Sequence, residues 1–195
     1  MAPRNNPTRW SAVAKFFHWT MALLIIGNGI FAIWMDGLKP SLNKINMFAL
    51  HKSIGLTVLA LFVLRLAWKM FDRRPPDEPA PRWQQMAAHA VHGLLYLLIV
   101  AIPLTGWMFN SAHGFPLQYF KQFNLPALLD KNPELSDVLG TVHVYLFWFL
   151  CVVLVAHIGG ALKHHFVDHD NTLRRMLPFG RPRRTPTSVP PGDTP

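Results

Sequence analysis

Two histidines, His143 and His157, stand fourteen residues apart inside an uncharged apolar run, VLGTVHVYLFWFLCVVLVAHIGGAL, that lies between Asp137 and Lys163. A neutral imidazole is a good ligand for a transition metal, so the question is where a helix would place the two rings. Fourteen residues turn through about 1400°, against 1440° for four full turns, so both rings point to nearly one face about 21 Å apart. One helix therefore offers two ligands at two depths. The whole run would be about 37 Å long, enough to cross a hydrocarbon core of about 30 Å with some tilt.

A lone polar side chain in such a helix is readily explained by a hydrogen bond to a neighbour. Two on one face, spaced to hold two flat groups one above the other, point instead to ligation. The group that fits is haem, with neutral imidazoles as axial ligands. The single cysteine, Cys151, excludes an internal disulfide, and no C-x-x-C-H run is present to attach haem covalently. A protein-ligated iron–sulfur centre is disfavoured for the same reason, and Cys151 is most simply a packing residue.

The elements that must position these rings are further apolar runs. Phe16 to Met35 is a first uncharged span, too long for the apolar core of a usual signal peptide, with His18 and Trp19 just inside its start. After a short loop over 36–46, broken by Gly37 and Pro40, a second span covers about Met47 to Trp68, with His51 and Lys52 near its start. Arg65 follows His51 by fourteen residues, the interval between His143 and His157. It is either a basic anchor at the membrane edge or a partner for haem propionates at the other depth. Residues 69–82 form a proline-rich hinge. A third span then runs from Trp83 or Ala87 to Phe109, with His89 and His92 near its start, Pro103 as a kink site, and Gly93 and Gly106 as places where a flat macrocycle could approach the backbone. The aromatic loop over 110–137 is expected to lie on the membrane surface or to fold over the mouth of the bundle.

Lys and Arg cluster in the N-terminal arm (Arg4, Arg9, Lys15), in the hinge (Lys69, Arg73, Arg74, Arg82) and after the last span (Lys163, Arg174, Arg175). Only Lys39 and Lys44, then Lys121 and Lys131, lie in the two opposite loops. Both termini are thus expected in the cytoplasm, with four spans between them. The net charge of +9 belongs to these span ends, so membrane orientation and lipid contact explain it better than nucleic acid. The mean hydropathy of only +0.20 averages apolar spans with basic, proline-rich stretches.

Orientation assigns depth. His18 enters from the inner side and His157 lies near the inner end of span four, whereas His51 and His143 both begin their spans from outside. Depth therefore pairs His51 with His143 and His18 with His157, with His92 and His89 as competitors at the inner level. The expected fold is an all-α, integral membrane four-helix bundle binding two b haems, with an N-terminal arm over 1–12, a membrane domain over 13–178 and a disordered tail over 179–195.

Several motifs together resemble the bacterial cytochrome b561 family, over about residues 9–178: His18–Trp19, HKSIG opening span two, AHAVHGLLYLLIVAIPLTGW in span three, His143 with His157, and HHFVDHDNTLRRMLP after span four. The likeness is greatest to small stand-alone members that include a superoxide oxidase. In this family and in related cytochrome subunits of membrane hydrogenases and formate dehydrogenases, span four gives one ligand to each haem and spans one and two give the partners. The resemblance thus implies His18 with His157 and His51 with His143, leaving His92 and His164 as neighbours of the haems or of a quinone site. It also implies the bacterial inner membrane, ubiquinone as exchangeable electron acceptor, and superoxide or a redox partner protein at the outer face. Lys39, Lys44, Lys52, Lys121 and Lys131 would supply any field that attracts an anion there. A cytochrome subunit fed by a separate dehydrogenase or hydrogenase is the alternative.

Overall fold

The computed structural model describes residues 9–72 and 75–180. Most of the expected N-terminal arm and of the tail, residues 1–8 and 181–195, lie outside the described residues. Four long helices carry the chain: α1 (Ala12–Asp36), α2 (Leu42–Phe71), α3 (Arg82–His113) and α4 (Pro133–Phe166). A two-stranded antiparallel hairpin, β1 (Leu117–Tyr119) and β2 (Phe123–Leu125), joins α3 to α4, and a short α5 (Thr172–Met176) follows. All four long helices are long and apolar enough to cross a membrane.

Each helix overruns its expected span, and side-chain caps hold the first turns of α1, α2 and α4. Ser11 and Ser41 accept from the backbone N–H groups of Ala14 and Lys44, satisfying donors that the first turns of α1 and α2 leave free. Asn132 does the same for α4, ahead of Pro133, whose missing N–H costs nothing at the first helical position. The loop expected over 36–46 is thereby shortened to residues 37–41. Gly114, at φ 85°, ends α3 in the left-handed conformation that glycine takes without strain.

Packing is pairwise. One buried cluster joins α3 and α4 through Leu95, Leu98, Leu150 and Val153. Another joins α1 and α2 through Met21, Val58 and Phe62, against Tyr96, Ile99 and Val100 of α3. Outward residues such as Leu23, Ile30, Leu97, Val152 and Val155 are exposed, as a lipid-facing belt requires. The histidines lie where the two pairs of helices meet.

The loop after α3 is an ordered wedge. Ser53, fully buried on α2, accepts from the backbone N–H of Phe120 at 2.9 Å, and Thr57 bonds the Tyr119 hydroxyl at 3.0 Å. Lys121 donates to Asn46 at 2.8 Å, and Trp107 donates to the Pro126 carbonyl at 3.0 Å. Asn46, Ser53 and Thr57 share one face of α2, roughly opposite His51. The hairpin therefore flanks the half of the bundle that carries His51 and His143, between α2 and α3.

Candidate cofactor site

The level expected to be the outer one is built from α2, α3 and α4. The rings of His51 and His143 lie 6.3 Å apart, centroid to centroid, at an interplanar angle of 86°. His143 Nδ1 is 3.0 Å from the Ile102 carbonyl. A carbonyl only accepts, so this bond requires the Nδ1–H tautomer and leaves Nε2 with its lone pair free. Metal-ligating histidines are usually oriented by such a bond from the other ring nitrogen. Gly106 admits the ring, since a Cβ there would lie 3.0 Å from His143 Cε1. The hydroxyl of Thr105, which bonds the Ala101 carbonyl at 2.8 Å, closes the contact 3.3 Å from Nδ1.

The inner level is built from α1, α3 and α4. His18 and His157 are 6.1 Å apart, and His92 is 5.4 Å from His157. Arg65 of α2 faces this part of α3, with its Cζ 6.0 Å from the ring of Tyr96, about one turn after His92. A Cβ built at Gly93 meets nothing within 4 Å, so α3 leaves open space beside its own His92. Of the two glycines singled out in this helix, Gly93 adjoins open space, whereas Gly106 receives an imidazole.

These distances allow a fit test. A ring nitrogen lies about 1.2 Å from its centroid and first-row metal–imidazole bonds run about 2.0–2.1 Å, so two rings on opposite sides of one ion sit at most about 6.4–6.6 Å apart. The His51–His143 and His18–His157 separations fit that value, and the His92–His157 separation of 5.4 Å falls short of it. Unpartnered buried polar atoms also gather beside the outer pair, namely His51 Nδ1 and Asn28 Oδ1. Such atoms are uncommon in a chain that satisfies its own polar groups, and they suit a site completed by a bound group. The donor set is thus compatible with bis-imidazole haem at both levels.

The remaining histidines fall elsewhere. His89 is exposed, 3.7 Å from Asp77. His164 turns away from the ring pairs, bonding Asp170 at 2.6 Å and lying 3.3 Å from Asp168. It belongs to a strap over the inner end, in which Lys15 and Trp19 of α1 donate to the carbonyls of Leu177 and Met176 at 2.8 and 2.9 Å. Arg175 ties the strap to the hinge through Glu78 at 3.0 Å and the Pro76 carbonyl at 2.8 Å.

Sequence reasoning missed Asn28, whose amide donates to the His51 carbonyl at 3.2 Å, and the bond by which the Lys52 ammonium donates to Asn110 at 2.9 Å. The signal for Asn28 was present, because an amide in the middle of an apolar span needs a partner on another helix. The Lys52 bond carried no such signal, since a lysine near a helix end is expected to reach for water.

A model of the family described as prokaryotic cytochrome b561 matches residues 9–179. The chain is 36% identical over 186 residues to the Escherichia coli K12 protein named cytochrome b561 homolog 2, covering 91% of this chain and 95% of that protein. It is 31% identical over 173 residues to cytochrome b561 homolog 1 of the same organism, covering 87% and 97%. It is also similar to a Yersinia pestis protein named probable superoxide oxidase CybB, at 30% identity over 174 residues, 89% of this chain and 98% of that one.

Proposed function

Because this chain belongs to the prokaryotic cytochrome b561 family, as a multi-pass bacterial membrane electron-transfer protein binding b-type haem, we propose that it holds two haems and links an outer-face donor to the quinone pool. The observation that carries this reading is the pair of ring separations, 6.1 and 6.3 Å, with one imidazole of each pair on α4. His18 and His157 are the inner ligands, His51 and His143 the outer ones. Haem, when bound, supplies one-electron redox chemistry. The chain orients the imidazoles, excludes water from between the helix pairs and sets local charge. Arg65 offers its guanidinium to propionates at the inner level. The membrane is the inner one, with both termini cytoplasmic.

The donor we propose is superoxide, a reading supported by the printed name of the Yersinia relative. Two superoxide anions give up one electron each and leave as dioxygen, and one ubiquinone takes both electrons with two protons to become ubiquinol. Among the outer lysines, Lys44, Lys52 and Lys121 donate to neutral oxygens of Asp36, Leu38, Asn110 and Asn46, so those bonds leave their charge uncancelled. Asp36, Asp130, Glu134 and Asp137 stand at the same end of the helices and thin that field. This favours a second reading, in which a separate dehydrogenase or hydrogenase feeds the cytochrome.

Haem per chain on purified protein, followed by optical stopped flow with superoxide and a short-chain ubiquinone, tests the proposal. Two haems that reduce with superoxide and reoxidise with quinone support it. Two haems indifferent to superoxide favour the partner-fed subunit, and a colourless protein sinks both.

A further inference from the structure

Lys69 lies eighteen residues, five full helical turns, after His51, so His51, Arg65 and Lys69 form one stripe along α2. The inner end of that stripe meets one aromatic ring. Arg65 Cζ is 6.0 Å and Lys69 Nζ 5.3 Å from the Tyr96 centroid, and Phe62 packs edge-on against the same ring at 5.3 Å. Arg65 is half-buried, and among the described residues neither cation has a carboxylate partner. A ring quadrupole attracts a cation but carries no net charge, so it cannot neutralise two that also repel each other. Arg65 lies within the expected span, where an ionised group normally pairs with an opposite charge, and Lys69 follows one turn on, exposed at the edge of that span.

We propose that Arg65 and Lys69, with Tyr96 as the floor between them, form an oxyanion site for the acidic head of an amphiphile at the inner edge of the bundle. The chemistry is a carboxylate or phosphate oxygen accepting charge-assisted hydrogen bonds from a guanidinium and an ammonium while the apolar body of the ligand lies against the helices. Two sources carry such a group, a propionate of the inner haem or the phosphate of an acidic phospholipid. The first source rests on the dihaem reading; the second does not. Lys69 gains a defined role in either case, in place of that of a free anchor.

The test uses full-length wild type, Lys69→Gln and Tyr96→Leu in nanodiscs of phosphatidylcholine alone or mixed with phosphatidylglycerol. Redox titration reads the potential of the haem lost in His18→Ala, and native mass spectrometry counts retained phosphatidylglycerol. A fall in that potential for Lys69→Gln in both lipids supports the site with propionate as its ligand, because removing a positive charge favours the oxidised haem. Loss of phosphatidylglycerol retention by about tenfold, the effect of one charge-assisted hydrogen bond, supports it with lipid phosphate as ligand. Unchanged potential together with unchanged lipid retention in both variants overturns it. Should the protein bind no inner haem, the dihaem reading fails separately, and lipid retention alone decides this proposal: about tenfold loss supports it, no change overturns it.

Discussion

Ile102 fixes the tautomer of His143 and Gly106 fixes where its ring can lie, so the outer site depends on a glycine that touches no metal. Alanine is the better helix former by about 1 kcal/mol, yet its Cβ would press on His143 Cε1. Gly106→Ala is therefore expected to retain the fold and lose outer haem, with haem per chain falling from two toward one. Replacing His51 or His143 by alanine is expected to remove that same haem, while His18→Ala and His157→Ala remove the inner one. Difference spectra of the reduced proteins check both statements, and loss of inner haem in His92→Ala with retention in His18→Ala would overturn the pairing. The two rings of α4 were legible in the sequence because imidazoles in an apolar span at a four-turn interval are costly to place by chance, whereas depth alone left His92 and His89 competing with His18. The orienting bond was not legible, because a backbone carbonyl leaves no trace in a side-chain pattern.

Individual elements are fixed by polar bonds at their ends. Ser53 receives the Phe120 N–H where the hairpin meets α2, at a turn in which Phe120 and Lys121 both take positive φ, 45° and 62°. Two bulky residues in that conformation are strained, and the contacts to α2 hold them there. Ser53→Ala leaves a buried donor unmet and is expected to lower stability by about 1–3 kcal/mol, read as an earlier thermal transition. At the other end, Lys163 donates to both oxygens of Asp168 at 2.9 and 2.7 Å, and this holds the Asp168 carboxyl below its ordinary range. A depressed carboxyl contributes stability above its unfolded value of about 3.9 and loses it as pH falls through the lower folded value. The strap should thus be intact at neutral pH and loosen only below about pH 4. Hydrogen exchange of the Val167 and Asp168 amides checks this, with Asp168→Asn expected to show faster exchange already at pH 7. The aromatic loop was expected on the membrane surface or over the mouth of the bundle, and its hairpin instead bonds to the side of α2 through Asn46, Ser53 and Thr57. Its strand pairing was not legible, because a Phe-Lys turn lacks the glycine or asparagine that usually announces a hairpin.

For the molecule as a whole, the spacing of Lys and Arg predicts both ends of the chain on one side. In a Cys151→Ala background, a membrane-impermeant maleimide should label Lys121→Cys in intact cells and Phe179→Cys only after permeabilisation; the reverse pattern would overturn the topology. The four helices were legible as apolar runs of membrane length, whereas their pairing into α1 with α2 and α3 with α4 depends on side-chain fit that hydropathy does not encode. Among these helices α4 is distinctive in carrying a ring of both pairs with no proline between them, its one proline standing at the first turn. Its backbone hydrogen bonds make it a ruler. Bilayers of different thickness would tilt or splay the bundle, but in the proposed dihaem arrangement the gap an electron must tunnel is set by the rise of a single helix. A one-residue insertion between His143 and His157 would swing one ring by about 100°. On that reading the distance between redox levels is held by the hydrogen-bonded rise of one helix and is insulated from the lipid around it.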